Sequence, residues 1–550
     1  MRILKKEYAL TFPKKCATLN KKDKEHLFFM KKRILLFLIS LLSIVCFALG
    51  FTSCNAPTEN SVDPFTDECF LYEATTDGPA PHWQITGLAP GYEDLTEITI
   101  PYYYNLSSVV EIAPFAFSGN TTLKKVTISD RLDVIGEYAF YGCTALEEVV
   151  MGSSINFINN AAFLDCTSLK TVDFSKTTDC YRILSSAFEN TGLEEVELPS
   201  SLVYVYENAF YNSKLTKIRI PASVELIEDN AFYTETLQET HIESLKSFSA
   251  IEFSSEKANP TYHTKNLFLN GEEIKSLVLP DDCYLVKDFA FTSLTLDGIH
   301  IGSNTLTIYE GAFAFATRLG EITVSEKNPN YEAIDNCLIQ KKNPESKTLV
   351  TTTQSTTVIP QDQNITRIGA YAFANHALLT EIIIPDTVKE ISANAFMNCP
   401  LLYTVQLPAN LETIQPSAFY DCVRLDNLIF PTTLKFIGSE AFYNCKALSS
   451  VRLENTKIGS AAFGNCFNLL IVYLKNVEKL PNRVFMNCIR LQVIHAENTT
   501  LVDTAAFLGC SKINEANFQI TNNTNNLTVY QTNNSTLIAH LVCNRDILYY

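Results

Sequence analysis

Nothing in this 550-residue chain has the spacing of a familiar catalytic centre. There is no Gly-x-Ser-x-Gly elbow, no His-Glu-x-x-His pair, no Walker loop and no Gly-x-Gly-x-x-Gly behind a strand. No Cys-x-x-Cys occurs, so single cysteines would have to build any zinc cage, and neither metal nor cofactor is expected. The eight histidines (His26, His82, His241, His263, His300, His376, His495 and His540) are strung along the length instead of clustering. Glu147-Glu148 and Glu194-Glu195 have the form of acid/base pairs. They recur at one strand position, however, and are read as a solvated face. An enzyme is not expected.

Positive charge is also short. Against 60 Asp and Glu stand 43 Lys and Arg, a net charge of −17. Residues 1–53 hold 11 Lys and Arg but only 3 Asp and Glu, so their excess of eight positive charges leaves −25 on the rest. A body that acidic excludes nucleic acid and an anionic membrane surface as expected partners. Long apolar runs are missing too. Ile34 to Leu49 falls short of the about 20 residues that a membrane-spanning helix needs. Tryptophan occurs once, as Trp83, and is expected in the core of an N-terminal cap.

What the chain has is a period. Ala-Phe recurs every 21 to 25 residues, with anchors Phe117, Phe140, Phe163, Phe188, Phe210, Phe232, Phe291, Phe313, Phe373, Phe396, Phe419, Phe442, Phe463 and Phe507. Phe485 keeps the register behind Val484, making fifteen anchors. A fixed period of this size means a solenoid. In residues 391–408, Ile391 lies five before Phe396, Cys399 three after it and Leu402 six after it. Val405 and Leu407 then share one face of a strand that Pro408 ends. The Ala-Phe segment is too short for a long helix, and one helical turn or an irregular arc is expected. A single unit cannot bury its apolar face, but stacked units cover one another. The expected fold is a mainly β repeat solenoid over residues 113–510.

Cys143, Cys166, Cys399, Cys422, Cys445, Cys466, Cys488 and Cys510 all stand three residues after an anchor. Ser213 and His376 replace cysteine at that place without a partner being lost. The column is therefore expected to be free thiols packed as small hydrophobes, not disulfides. Two anchor gaps are long, 59 residues before Phe291 and 60 before Phe373. Each contains Asn-Pro-x-Tyr and then two apolar stretches around a polar turn, the pattern of a β-hairpin. Insertions at about 250–283 and 326–355 are expected to leave the stack unbroken, with arrays of six, two and seven anchors. Deletion of residues 328–350 is expected to be tolerated. Residues 68–112 are expected to cap the N-terminal end, and the Asn/Thr-rich residues 511–550 the other.

Lys31-Lys32-Arg33, the run to Leu49 and Phe51-Thr52-Ser53-Cys54 have the layout of a secretion leader. Either Met1 or Met30 serves as its start. Residues 1–53 are expected to direct export, with lipid on Cys54 and residues 54–67 as a tether. An uncleaved signal anchor is the alternative, and the membrane is otherwise not a partner.

The units IGEYAFYGCTALEEV (135–149), IGAYAFANHALLTEIIIP (368–385) and IGSEAFYNCKALSSVRL (437–453) resemble the leucine-rich repeats, about 22–23 residues long, of the BspA-like surface-protein family. The resemblance runs over residues 70 to 510, and that family carries similar hairpin islands. It implies a lipid-anchored protein at a bacterial cell surface or outer membrane. The implied role is non-enzymatic recognition of host or neighbouring-cell proteins, extracellular-matrix proteins among them. A scaffolding envelope lipoprotein with no host ligand is the alternative.

The outward position between the paired apolar residues of each strand is the informative surface. It reads Thr127, Val150, Asp173, Glu197 and Arg219, then Ile383, Gln406, Ile429, Arg452, Tyr473 and His495. The first group trends acidic. In the second, Ile383, Ile429 and Tyr473 add nothing to the core if they face water, and apolar and aromatic side chains near Arg are what interfaces favour. Ile383, Gln406, Ile429, Arg452, Tyr473 and His495 are the candidate ligand-binding residues. Packing between neighbouring rungs is the competing explanation.

Overall fold

A computed structural model describes residues 67–75 and 82–513, apart from residues 317, 344, 362, 427, 500 and 504, together with strands at 518–521, 528–529, 542–543 and 546–547. The expected leader, Cys54 and most of the tether lie outside the described residues, as do most of residues 514–550. The described body is a β-solenoid of leucine-rich-repeat type with almost no helix. No helix among the described residues is long and apolar enough to cross a membrane.

Most repeats contribute two short strands to two parallel ladders. In the first, Val134–Ile135, Phe157–Ile158, Arg182–Ile183, Tyr204–Val205 and Leu226–Ile227 pair residue for residue. The second residue of each pair is fully buried. In the second ladder Lys125–Ile128, Glu148–Val150 and Thr171–Asp173 pair in the same way. Alternation along these strands points Val126 and Val149 inward and leaves Thr127 and Val150 half-exposed.

The Ala-Phe segment joining the ladders is an irregular arc. Two of its residues are left-handed, one two before and one two after the phenylalanine. Tyr138 has φ 57° and Gly142 φ 68°; Asn394 and Asn398 have φ 58° and 55°. The alternation turns every second N–H toward the next repeat. Tyr138, Phe140 and Gly142 donate to the carbonyls of Asn160, Ala162 and Leu164 at 3.0, 2.7 and 2.8 Å. The N–H groups in between close within the arc, as Ala139 does on Gly136 and Cys143 on Phe140. The buried turn thus meets its backbone hydrogen-bonding requirement without regular structure. Asparagine tolerates the left-handed region better than other L residues. Here its amides also form a ladder, with Asn398 donating to Asn375 at 2.6 Å and Asn212 to Asn190 at 2.7 Å.

The anchors stack face to face at offsets typical of aromatic pairs. Six rings run from Phe117 to Phe232 with centroids 5.0 to 5.3 Å apart, and seven from Phe373 to Phe507 at 4.9 to 5.7 Å. Phe291 and Phe313 form the pair between them at 5.9 Å. These are the arrays of six, two and seven that the spacing predicts.

All described cysteines are buried and unbridged, and the column has a specific geometry. Each of its eight thiols donates to the carbonyl of the anchor phenylalanine one array step back. Examples are Cys143 to Phe117 at 3.1 Å, Cys422 to Phe396 at 3.1 Å and Cys510 to Phe485 at 3.0 Å. His376 takes the same place, fully buried, with neither ring nitrogen hydrogen-bonded among the described residues.

Both expected hairpins are present, and both are built into the stack. In the first, Phe268–Leu269 pairs antiparallel with Glu272–Glu273 and parallel with His241–Ile242, while Glu252–Phe253 extends the other ladder. In the second, Tyr331–Ile334, Cys337–Asn343 and Ser346–Thr352 form an antiparallel meander whose last strand pairs parallel with Ile365–Ile368. The Asn-Pro-x-Tyr asparagines seat these segments. Asn259 is buried and donates to Phe289 and Ala290 carbonyls, while Asn328, also buried, donates to Gly302 and Thr305. Their oxygens accept from Thr261 N and from Asn330 and Tyr331 N.

The second hairpin corrects the expectation that residues 328–350 are dispensable. Leu338 and Val350 belong to the core on the N-terminal side, whereas Cys337, Ile339 and Leu349 belong to the core on the C-terminal side. The hairpin is a wall with an apolar face on each side, not a surface loop. At the N-terminal end Trp83 packs against the core and sets its ring edgewise 5.0 Å from Tyr104.

Candidate binding surface

The outward residues of the second ladder form a register-true column. Ile383 stands opposite Gln406, Arg452 opposite Tyr473, and Tyr473 opposite His495. Most are flanked by buried neighbours, such as Val451 and Leu453 around Arg452 and Val472 and Leu474 around Tyr473. Alternation therefore fixes their outward direction, because turning one inward would expose two core residues.

Exposure separates packing from display. Ile383 is 55% exposed and Ile429 83%, so neither is covered by its neighbours on the column. Tyr473, at 41%, lies against the His495 ring with centroids 5.0 Å apart and planes 10° apart. One rung back, Arg452 is exposed and makes no ion pair among the described residues; the pair Lys475–Glu454 at 2.8 Å runs beside it. The sequence-predicted residues are thus brought onto one face, with packing at Tyr473–His495 and open apolar surface at Ile383 and Ile429.

The outward positions also include residues beyond the candidate set. His241 stands opposite Arg219, and Val278, His300 and Thr323 follow one another on three rungs. Val358 precedes Ile359-Pro360 as Ile383 precedes Ile384-Pro385, and it is 62% exposed. Val278 and Val358 have no Ala-Phe at the usual distance, whereas Ala290-Phe291 precedes Ile299-His300-Ile301 just as Ala209-Phe210 precedes Ile218-Arg219-Ile220.

Among the described residues, several remaining polar groups make ion pairs or ring contacts. Glu147, Glu148 and Glu195 pair across rungs with Lys124, Lys125 and Lys217 at 3.9, 2.9 and 3.0 Å. His241 bonds Glu239 at 2.8 Å and stacks on Phe268. His263 sits edgewise on Tyr233, its pKa held down to about 4 by burial. The described histidines stand on different rungs, and no group of three or more metal-ligating side chains converges among the described residues. Burial pushes the thiols of Cys180 and Cys337 up to about 12, which keeps them protonated and inert.

A family model for a BspA type leucine rich repeat region (6 copies) matches residues 91–182, 177–265, 257–355, 345–470 and 412–538. No curated protein matches the chain. Among solved structures, the chain is similar to a leucine-rich cell surface protein from Faecalibacterium prausnitzii, with 20% identity, 84% of this chain and 95% of that one covered, and a TM-score of 0.36. It is likewise similar to the pneumococcal vaccine antigen PcpA, with 17% identity, coverage of 84% and 98%, and a TM-score of 0.31. A leucine-rich-repeat protein of T. pallidum matches 32% of this chain and 80% of its own at 28% identity, with a TM-score of 0.30.

Proposed function

The chain belongs to the BspA-type leucine-rich-repeat family, and from that premise we propose that it is a protein-binding protein of a bacterial cell surface. It acts as an adhesin-like lipoprotein that recognises host or neighbouring-cell proteins, held to the membrane by lipid on Cys54. It binds and does not catalyse. The observation that carries the reading is the open apolar surface of Ile383 and Ile429, at the same place in their repeats as Arg452, Tyr473 and His495. Alternation on a strand forces these positions outward, but it does not require isoleucine or tyrosine there, and uncovered apolar side chains beside arginine suit a protein interface.

The test has two arms. Protease treatment of intact cells should remove the protein if it is displayed outward; full protection would place it inside the envelope and favour the scaffold. Extracellular-matrix and envelope proteins are then tested for binding, and an Arg452→Ala/Tyr473→Ala double variant should lose affinity for the ligand found. Undiminished binding by that variant would remove the column as the site.

A further inference from the structure

Midway along the same face, the rungs Ser276–Val278, Gly298–Ile301 and Ile322–Val324 border a groove of about 600 Å³. Its lining includes Val278, Asp281, His300, Ser303, Glu326 and Lys327. Its floor is low because the middle rung has Gly302 where the flanking rungs have Pro280 and Ser325. A Cβ at Gly302 would come 3.0 Å from the Leu279 carbonyl.

The groove is rich in acceptors. Asp281 Oδ1 already accepts from Ser303 Oγ at 3.0 Å, which fixes the carboxylate over the glycine floor. The Thr323 hydroxyl donates to the Ile299 carbonyl at 3.3 Å and lies 2.9 Å from His300 Nδ1. Asp281 and Glu326 are exposed and have no ion-pair partner among the described residues. Against these acceptors stands one cation, Lys327. Beside them Val278, 56% exposed, offers an apolar wall.

We propose that this groove is a subsite for an arginine-bearing segment of a protein ligand. A guanidinium brings five donors in a planar fork, suited to two carboxylates. Its aliphatic stem has Val278 to lie against. The volume falls within the range of about 300–1,000 Å³ usual for ligand clefts, enough for the side chain and its flanking backbone. The −25 charge outside residues 1–53 favours approach of a basic segment. The subsite extends the binding-face reading, but its own chemistry can be tested separately.

The probe is a short blocked peptide with one arginine among glycine and serine, compared with the same peptide carrying citrulline, which keeps the shape without the charge. Titration into the whole protein should show saturable binding of the arginine peptide and affinity at least about fivefold weaker for citrulline. Asp281→Asn/Glu326→Gln should weaken arginine binding about tenfold, with an unchanged circular dichroism spectrum. Glu326→Gln alone, at an exposed position, should weaken it about threefold and serves if the double variant misfolds. Glu197→Gln, elsewhere on the same face, should leave it unchanged. Equal affinity for the two peptides, no saturable binding, or an equal loss in Glu197→Gln would overturn the subsite.

Discussion

Leu349 and Val350 are consecutive residues of one strand, yet they lie in different hydrophobic cores. Strand alternation sends one side chain to each face, and here each face is covered by a different part of the solenoid. The hairpin that contains them therefore does for both halves what an ordinary repeat does for its neighbour.

Deleting residues 328–350 should destroy cooperative folding, because it strips Leu338, Ile339, Leu349 and Val350 from two cores at once. Urea unfolding followed by circular dichroism should show loss of the single sharp transition. Phe419→Ala, which empties one place in a ring stack with neighbours at 5.0 and 5.1 Å, should keep that transition and cost about 3–5 kcal/mol. A deletion variant that melts like the parent would show that the hairpin is dispensable after all.

Thiol labelling tests the cysteine column. The twelve described cysteines are buried and unbridged, so a maleimide at pH 8 should leave them unmodified in the native protein. Denaturant without reductant should release all twelve. Thiols that appear only after reduction would mean disulfides. Cys422→Ala, which deprives the Phe396 carbonyl of its thiol donor and leaves a small void, should cost about 1–2 kcal/mol.

Acid stability should depend on His263. Burial, with added repulsion from Lys265 and Lys257, lowers its pKa from 6.5 to about 4. The unfolded chain takes up the proton near 6.5 and the native state only near 4, so stability is complete above pH 6.5 and is lost as pH falls through 4. The ring is only partly buried, and solvent screening reduces the effect to about 1–2 kcal/mol. His263→Phe keeps the ring beside Tyr233 and should flatten the fall in melting temperature between pH 6.5 and 4. Parallel curves for parent and variant would rule this residue out. Burial also lowers the His376 pKa, which adds loss of the same sign.

Arg452→Ala and Tyr473→Ala should each weaken ligand binding by about 1–2 kcal/mol if they are centres of the interface. Melting temperature should hold for Arg452→Ala and fall slightly for Tyr473→Ala, which gives up its stack on His495. A clear drop in melting temperature with unchanged affinity would instead mean that Tyr473 serves packing between rungs.

The period, the anchors, the thiol column and the outward line were all legible in the sequence, because each depends on spacing within a single repeat. In a solenoid, local spacing is tertiary position: residues one period apart must meet. The asparagine two places after the phenylalanine, as in Ala-Phe-Met-Asn-Cys at 395–399, was equally visible. Its meaning came only with the left-handed backbone it occupies and the forward-pointing N–H groups that this conformation creates. What the sequence could not decide lies where the period breaks. The chain alternates apolar residues through Leu338–Ile339 and Leu349–Val350 without stating what covers either face. Nor does it reveal that Gly302 leaves a low floor between Pro280 and Ser325. Those facts depend on pairs of rungs brought together across an interrupted repeat, and no spacing within one repeat contains them.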